Sequence, residues 1–335
     1  HQLDGLIERA DALIDLLEVA DDSTPGLRRC YERACALVER IEKISTAAEA
    51  DGLRWIGLSR LGFTLNFTPV DTSAGLGALL QSQACAWIFT SATLAVGDDF
   101  HHYLARLGLR DARTLQRRGP FDYSACGMLL LPVDLPDPAA DGYTRSIIDS
   151  ILPLLEASRG RAFLLFTSYR ALNQAADYLR QRRDWDFPLL VQGEAPRSKL
   201  LEQFSELTDP VLLGTASFWE GVDIRGDGLV LVVIDRLPFA SPGDPLLKAR
   251  LDAIARNGGQ PFLDFQLPQA VLALKQGVGR LIRDARDYGI VVICDPRLSS
   301  RSYGRKFLAS LPPFPVTRDT QAAVDFFHAR EAKSG

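Results

Sequence analysis

Two stretches of the 335-residue chain carry residues whose types and spacing suit chemistry on a phosphate. Gly214–Asp223 reads Gly-Thr-Ala-Ser-Phe-Trp-Glu-Gly-Val-Asp and follows a short apolar run, Pro210-Val-Leu-Leu. Its small, hydroxylic and acidic residues therefore fall in the loop past a strand's carboxyl end, where open α/β sheets bind ligands. Gln276–Arg283 reads Gln-Gly-Val-Gly-Arg-Leu-Ile-Arg. As a helix it sets Gln276, Arg280 and Arg283 at i, i+4 and i+7, on one face. An amide and two fork-shaped guanidiniums converging on one point suit a phosphate whose charge grows during transfer. Gly277 and Gly279 each cost about 1 kcal/mol against Ala inside a helix, which close backbone approach to a neighbouring domain or a nucleotide would offset. Such a site requires the helix and the loop ending at Asp223 to open on the same cleft. An arginine on a helix is usually solvated, and a Gly-Thr-Ala-Ser turn is usually only a turn. The pair, in this order on one α/β pattern, is more specific than either part.

The elements that must hold these residues alternate at βα spacing. Strands are expected near 127–131, 162–167, 188–192, 210–214, 228–234 and 289–294. Helices are expected near 140–158, 169–183, 196–207, 244–257, 265–286, 302–310 and 319–330. This predicts an α/β fold, a parallel sheet with helices on both faces. Phe166-Thr-Ser-Tyr joins one such strand to its helix, so Thr167 or Ser168 either caps the helix or presents a hydroxyl to a phosphate at its amino end, and one residue can do both. Upstream, Leu3, Leu6, Ile7, Leu13, Ile14 and Leu17 recur at helical spacing. Asp21–Gly26 interrupts them, with Thr24 as a candidate N-cap, and residues 27–50 form a second amphipathic helix. Residues 53–70 alternate as two strands, a short helix runs from Thr72 to Gln81, and Ala86-Trp-Ile-Phe-Thr-Ser-Ala-Thr-Leu reads as a buried strand entering a hydroxyl-rich turn. The expected organisation is a smaller, mainly helical segment over 1–85, a strand and connection over 86–110, and the α/β domain over 111–335.

Composition is that of a globular protein, 47% apolar and 24% charged. The formal net charge of −4 offers no overall basic field, so contact with nucleic acid would have to rest on loops and local clusters. The densest cluster is Arg280, Arg283, Arg286, Arg297, Arg301, Arg305 and Lys306. Five cysteines without a Cys-x-x-Cys pair argue against a disulfide framework and show no metal site. No apolar run approaches the ~20 residues of a membrane span and no signal peptide opens the chain, so a cytoplasmic protein is expected. The chain contains no Gly-x-x-x-x-Gly-Lys-Ser/Thr loop. It reads as the carboxyl-terminal part of a larger protein, and His1-Gln-Leu as either the end of a DEAHQL-like motif or a tag remnant before a helix.

Ser217-Phe-Trp-Glu-Gly-Val-Asp, followed by Gln-x-x-Gly-Arg-x-x-Arg, resembles motifs V and VI of superfamily 2 helicases, in the wording of the XPD/DinG branch and most closely its bacterial YoaA type. Ser91-Ala-Thr-Leu resembles motif III, Phe166-Thr-Ser-Tyr motif IV, and Tyr303-Gly-Arg-Lys-Phe the end of these proteins. The resemblance implies a RecA-like fold for 111–335, the second motor domain of an ATP-dependent DNA helicase. Residues 1–85 would then be an Arch-like insertion remnant and the tail of the first motor domain. It implies that Gln276, Arg280 and Arg283 act at the γ-phosphate, one arginine as a finger, and that Glu220, Gly221, Asp223 and Gly279 line the nucleotide, Asp223 near the ribose. Glu220 and Asp223 could instead pair with Arg280 or Arg283 as structural ions. Thr167, Ser168, Thr215, Ser217, Tyr303 and Arg305 are implied to contact DNA. The implied cofactors are ATP and Mg²⁺, completed by the first motor domain. Any iron–sulfur cluster would lie upstream, since these five cysteines do not match its arrangement. Implied partners are single-stranded or forked DNA, the first motor domain of the same protein, and replication or repair proteins, with 5′→3′ translocation. The fragment alone is expected not to hydrolyse ATP. Two alternatives stay open: a non-catalytic RecA-like module that docks a repair partner or nucleic acid, and a nuclease of the same family, for which no clustered-carboxylate motif is present.

Overall fold

Four short runs, Ala162-Phe-Leu-Leu, Val211-Leu-Leu-Gly, Leu231-Val-Val-Ile and Gly289-Ile-Val-Val-Ile, are apolar at nearly every position, the pattern of parallel strands covered on both faces. The computed structural model describes residues 2–20, 24–46, 52–59, 61–117, 119–215, 218 and 228–334. In it all four runs are strands with every residue buried. In chain order the strands are β1 (Gly52–Leu58), β2 (Phe63–Pro69), β3 (Gly127–Leu130), β4 (Ala162–Leu165), β5 (Leu189–Val191), β6 (Val211–Gly214), β7 (Leu231–Ile234), β8 (Gly289–Ile293) and β9 (Val316–Thr317). The last seven form one sheet in the order β5-β6-β4-β7-β8-β3-β9, and every pairing is parallel. Phe163 of β4 lies opposite Leu212 of β6 and Val232 of β7, which fixes the register at the centre.

Alternation of side chains sorts the core into two layers. Phe163, Leu212, Val232 and Val291 face one layer with Phe204, Leu274, Leu298 and Phe307. Leu164, Leu213, Val233 and Val292 face the other, under the helices Tyr143–Ala157, Tyr169–Gln181 and Thr320–Ser334. Because all strands run the same way, their carboxyl ends share one edge of the sheet.

The chain divides into two compact units, and the sheet belongs to the one formed by Cys85–Ala105, Arg110–Ala240 and Phe262–Gly335. The other takes in His1–Ala84, Arg106–Leu109 and Ser241–Pro261, the last a segment that the sequence reading places with the sheet. It holds the helical hairpin Gln2–Ala20 and Pro25–Thr46, and the antiparallel pair β1 and β2. Ala34, Val38 and Ile41 form the buried stripe of the second helix, at i, i+4 and i+7. Arg250 in the helix Pro245–Arg256 donates from Nε to the carbonyl of Val70 at 3.0 Å, tying a distant segment to this unit.

Two expectations fail. The helix sought over 265–286 is a π-helical turn, Phe262–Gln266, followed by an α-helix that ends at Val278. Gly279 caps it, and Arg280 and Leu281 donate to carbonyls only three residues back, at 3.2 Å each, which tightens and closes the last turn. Leu281 and Ile282 are adjacent yet both buried, so a bend rather than a helical face places them. Ala86–Thr90 is not a strand either: it is irregular and exposed, Ile88 at 84%. A strand needs a neighbour for its backbone groups, and this run has no ladder among the described residues. The sequence also gave no sign of β9, only two residues long, which pairs with β3 through Leu129↔Val316 and Leu130↔Thr317.

Candidate functional site

The polar residues that interrupt apolar runs gather where strands end. Past β4, the backbone N–H of Thr167 donates to the Asp235 carboxylate at 2.9 Å and its hydroxyl to the other oxygen at 3.3 Å. Ser168 is the N-cap of the helix Tyr169–Gln181, its hydroxyl oxygen accepting from Ala171 N at 3.2 Å. Asp235 itself stands just past β7 and also accepts from Arg236 N at 2.6 Å. It is 2% exposed. Burial pushes its pKa up to about 7, against the downward pull of Arg236. Beneath it the Tyr143 hydroxyl is shared between the carbonyls of Asp235, at 2.8 Å, and Cys294, at 3.0 Å. The Arg236 guanidinium lies 4.9 Å above the Tyr143 ring. Past β8 the buried Asp295 accepts from Leu237 N at 2.8 Å and from Arg297, through Nε at 2.9 Å and Nη2 at 2.5 Å. That charged hydrogen bond raises the pKa of Arg297. Two buried carboxylates thus brace the ends of β4, β7 and β8.

Past β6, Thr215 spends both its donors on one amide: its N–H and hydroxyl reach Gln192 Oε1 at 2.6 and 3.0 Å. Gln192 Nε2 donates in turn to the Tyr169 hydroxyl at 2.6 Å, so one side chain links the ends of β5 and β6 to the start of the helix after β4. Gly214 is small because a Cβ there would sit 2.9 Å from Phe218. Phe218 is buried in the same layer as Val278, Leu281 and Ile282. The described anchor of the loop and the apolar neighbours of Arg280 and Arg283 therefore lie on one face of the sheet. Ser217, Glu220, Gly221 and Asp223 fall outside the described residues, as does His1.

Gln276 lies half-buried in the last turn of Leu267–Val278. Arg280 and Arg283 lie beyond the helix, so the one-face arrangement is replaced by a turn. The buried Asp287 carboxylate closes that turn, accepting from Arg283 N and Asp284 N at 2.8 Å each. Gly279, exposed, is the helix C-cap. Lys275 donates to the carbonyl of Ala95 at 3.4 Å, and burial lowers its pKa. Tyr303 packs its ring against Phe239, Phe262 and Phe307 at centroid distances of 5.9, 5.4 and 6.2 Å, an apolar setting rather than an open platform. Arg305 is exposed.

Asp235, Arg236, Gln192, Asp295 and Lys275 escaped the sequence reading. Asp235 and Arg236 come straight after one all-apolar strand and Asp295 one residue past another, the same signal that marked Thr167 and Ser168. Among the described residues no three His, Cys, Asp or Glu side chains gather as metal ligands. Cys30 and Cys85 are exposed while Cys294 is buried, and this scattered set does not fit an iron–sulfur cluster. No helix among the described residues is long and apolar enough to cross a membrane.

A parallel α/β sheet with hydroxyls and charges on its carboxyl edge is here a RecA-like helicase domain, and residues 151–314 match the helicase C-terminal domain family. The chain belongs to the XPD/DinG family of helicases, of the YoaA type. It is 45% identical over 328 residues to the ATP-dependent DNA helicase YoaA of Escherichia coli (strain K12), covering 96% of this chain and 51% of that protein. It is 40% identical over 262 residues to the ATP-dependent helicase DinG of Mycobacterium tuberculosis (strain ATCC 25618 / H37Rv), covering 77% and 39% respectively. The fold is similar to that of an XPD helicase structure, with a TM-score of 0.61 at 17% identity, covering 90% of this chain and 55% of the other. The chain spans about half the length of the YoaA relatives it matches.

Proposed function

We propose that this chain supplies the second motor domain of an ATP-dependent DNA helicase, which translocates 5′→3′ on single-stranded DNA in repair or replication. Residues 111–335 act as that motor domain, and 1–85 as the Arch-like remnant and the tail of the first. The observation that carries the reading is the pairing of hydroxyls along the carboxyl edge with a cationic turn on one RecA-like sheet.

Lys275, Arg280 and Arg283 carry only donors and Gln276 adds its amide N–H groups, a set that suits a nucleotide polyphosphate. ATP and Mg²⁺ supply the phosphoryl group and the ion that neutralises its charge. Arg283 and Arg280 meet charge on the γ-phosphate, while Gln276 orients the group by its amide. Glu220, Gly221, Asp223 and Gly279 contact the nucleotide. Ser168 keeps a hydroxyl proton free while capping its helix, which fits it to a backbone phosphate that must be held without reading sequence. Thr167 and Thr215 have their donors committed to Asp235 and Gln192, so they shape the strand ends beside Ser168. Turnover requires a P-loop, so the 335 residues alone do not hydrolyse ATP.

In the full-length protein, Arg283→Ala abolishes DNA-stimulated ATPase, a loss of about 10³-fold or more for an arginine finger, while nucleotide binding by calorimetry stays within a few-fold. Wild-type turnover in that variant removes the assignment.

A further inference from the structure

The carboxyl edge of the sheet continues past the braced strands to β3 and β9, and a second basic feature lies there. Leu131, Leu298 and Val316 contribute apolar lining to an open cavity of about 400 Å³. Arg301, Arg305 and Arg318 also line it, and no acidic side chain does. The three arginines come from separate places: the C-cap of the short helix Arg297–Ser300, the helix Gly304–Ser310, and the residue after β9. Gly304 makes this possible. A Cβ at that position would collide with the carbonyl of Leu298, so only glycine lets the two short helices meet closely enough to hold Arg301 and Arg305 beside one opening. Arg301, Arg305 and Arg318 have no ion pair or side-chain hydrogen bond among the described residues.

We propose that this pocket is a phosphodiester subsite for single-stranded nucleic acid, with Arg301, Arg305 and Arg318 on the backbone and the leucine-lined floor against a base or sugar. The inference rests on the helicase reading and extends the strand's path to the β9 end of the sheet. Guanidiniums suit this ligand because they bind phosphate bidentately and stack on bases, which an ammonium does not. In a chain of net charge −4, three arginines from separate segments around one apolar floor, with no carboxylate in the lining, form a local basic site that a polyanion would find. An open pocket also suits a continuous strand, which must enter and leave, better than a free nucleotide, which would be enclosed.

The test is fluorescence anisotropy of a labelled twenty-nucleotide oligothymidylate on the full-length protein across a salt series. The triple variant Arg301→Gln/Arg305→Gln/Arg318→Gln loses about tenfold or more in affinity, and its log–log salt slope shrinks by about 2, at roughly 0.7 per single-strand phosphate released. The triple Arg→Lys variant recovers most of the slope. Arg159→Gln, removing an exposed charge paired with Asp209 before β4, leaves both unchanged. Thermal melting confirms that the variants fold. A triple glutamine variant with wild-type affinity and slope overturns the subsite while leaving the helicase reading intact. A wild-type protein that binds no oligonucleotide at any salt removes both. Displacement of the oligonucleotide by millimolar inorganic phosphate, or equal competition by polyglutamate that depends on the three arginines, assigns the pocket to a free anion or an acidic protein and overturns it as well.

Discussion

Ala86-Trp-Ile-Phe-Thr-Ser and Ala162-Phe-Leu-Leu-Phe-Thr-Ser are close to the same word, each an apolar run ending in Phe-Thr-Ser. The second is the middle of the sheet: β4 has β6 on one side and β7 on the other, and Phe163 packs against Phe204 at a centroid distance of 4.7 Å. The first has no ladder among the described residues, and Trp87 and Phe89 stack on each other at 6.4 Å with Phe89 against Tyr103. Their hydroxyl ends differ in the same way. Thr167 is bonded to a carboxylate from another strand, whereas Ser91 bonds only to Thr93, two residues on. A run of this kind carries a preference for extended backbone, and its neighbours decide whether that preference becomes a strand.

That contrast can be broken first at the aromatic rings. Phe163→Ala destabilises the chain by about 3–5 kcal/mol, as expected for a fully buried Phe, whereas Phe89→Ala changes it by less than about 0.5 kcal/mol. Chemical denaturation of the two variants checks the difference, and equal losses would mean that the run at 86–90 is packed. The next largest effect lies beneath Thr167. Asp235 carries a pKa raised to about 7 by burial, above the ordinary carboxylate value of 3.8. The folded state keeps a proton that the unfolded chain releases, so stability falls as pH rises from about 4 to 7. Asp235→Asn removes that contribution and flattens the profile by on the order of 4 kcal/mol across the window, as read from melts at several pH values. Nothing equivalent lies under Ser91, and Ser91→Ala leaves the pH profile alone. The smallest effect is capping. Ser168→Ala costs about 1 kcal/mol through its lost bond to Ala171 N, and Ser91→Ala costs near zero by the same measurement.

The sheet was legible because its strands are short, apolar and separated by helical periodicity, so six of the seven could be placed to within a few residues. The two residues of β9 are too few to carry a pattern. The helix expected to carry Arg280 and Arg283 stops at Val278, although Gln276, Arg280 and Arg283 fit a helical face. Asp287, whose carboxylate bends the chain back onto the N–H groups of Arg283 and Asp284, is an unremarkable letter until folding buries it. Ala86–Thr90 shows the opposite failure, a correct preference without a partner. At the site, hydroxyls at strand ends pointed to Thr167, Ser168 and Thr215. Their supports, Asp235 and Gln192, come from residues 68 and 23 positions away, a separation that no local spacing reveals.

The turn after Val278 has one mechanical consequence. A helix passes any roll about its axis to every side chain it bears, but a bend closed by a carboxylate does not. The backbone at Arg283 is thereby held by Asp287 and not by the cylinder that precedes it, while Arg280 stays hydrogen-bonded to Gly277 in the last turn. A roll of that helix is therefore passed to Arg280 and much less to Arg283.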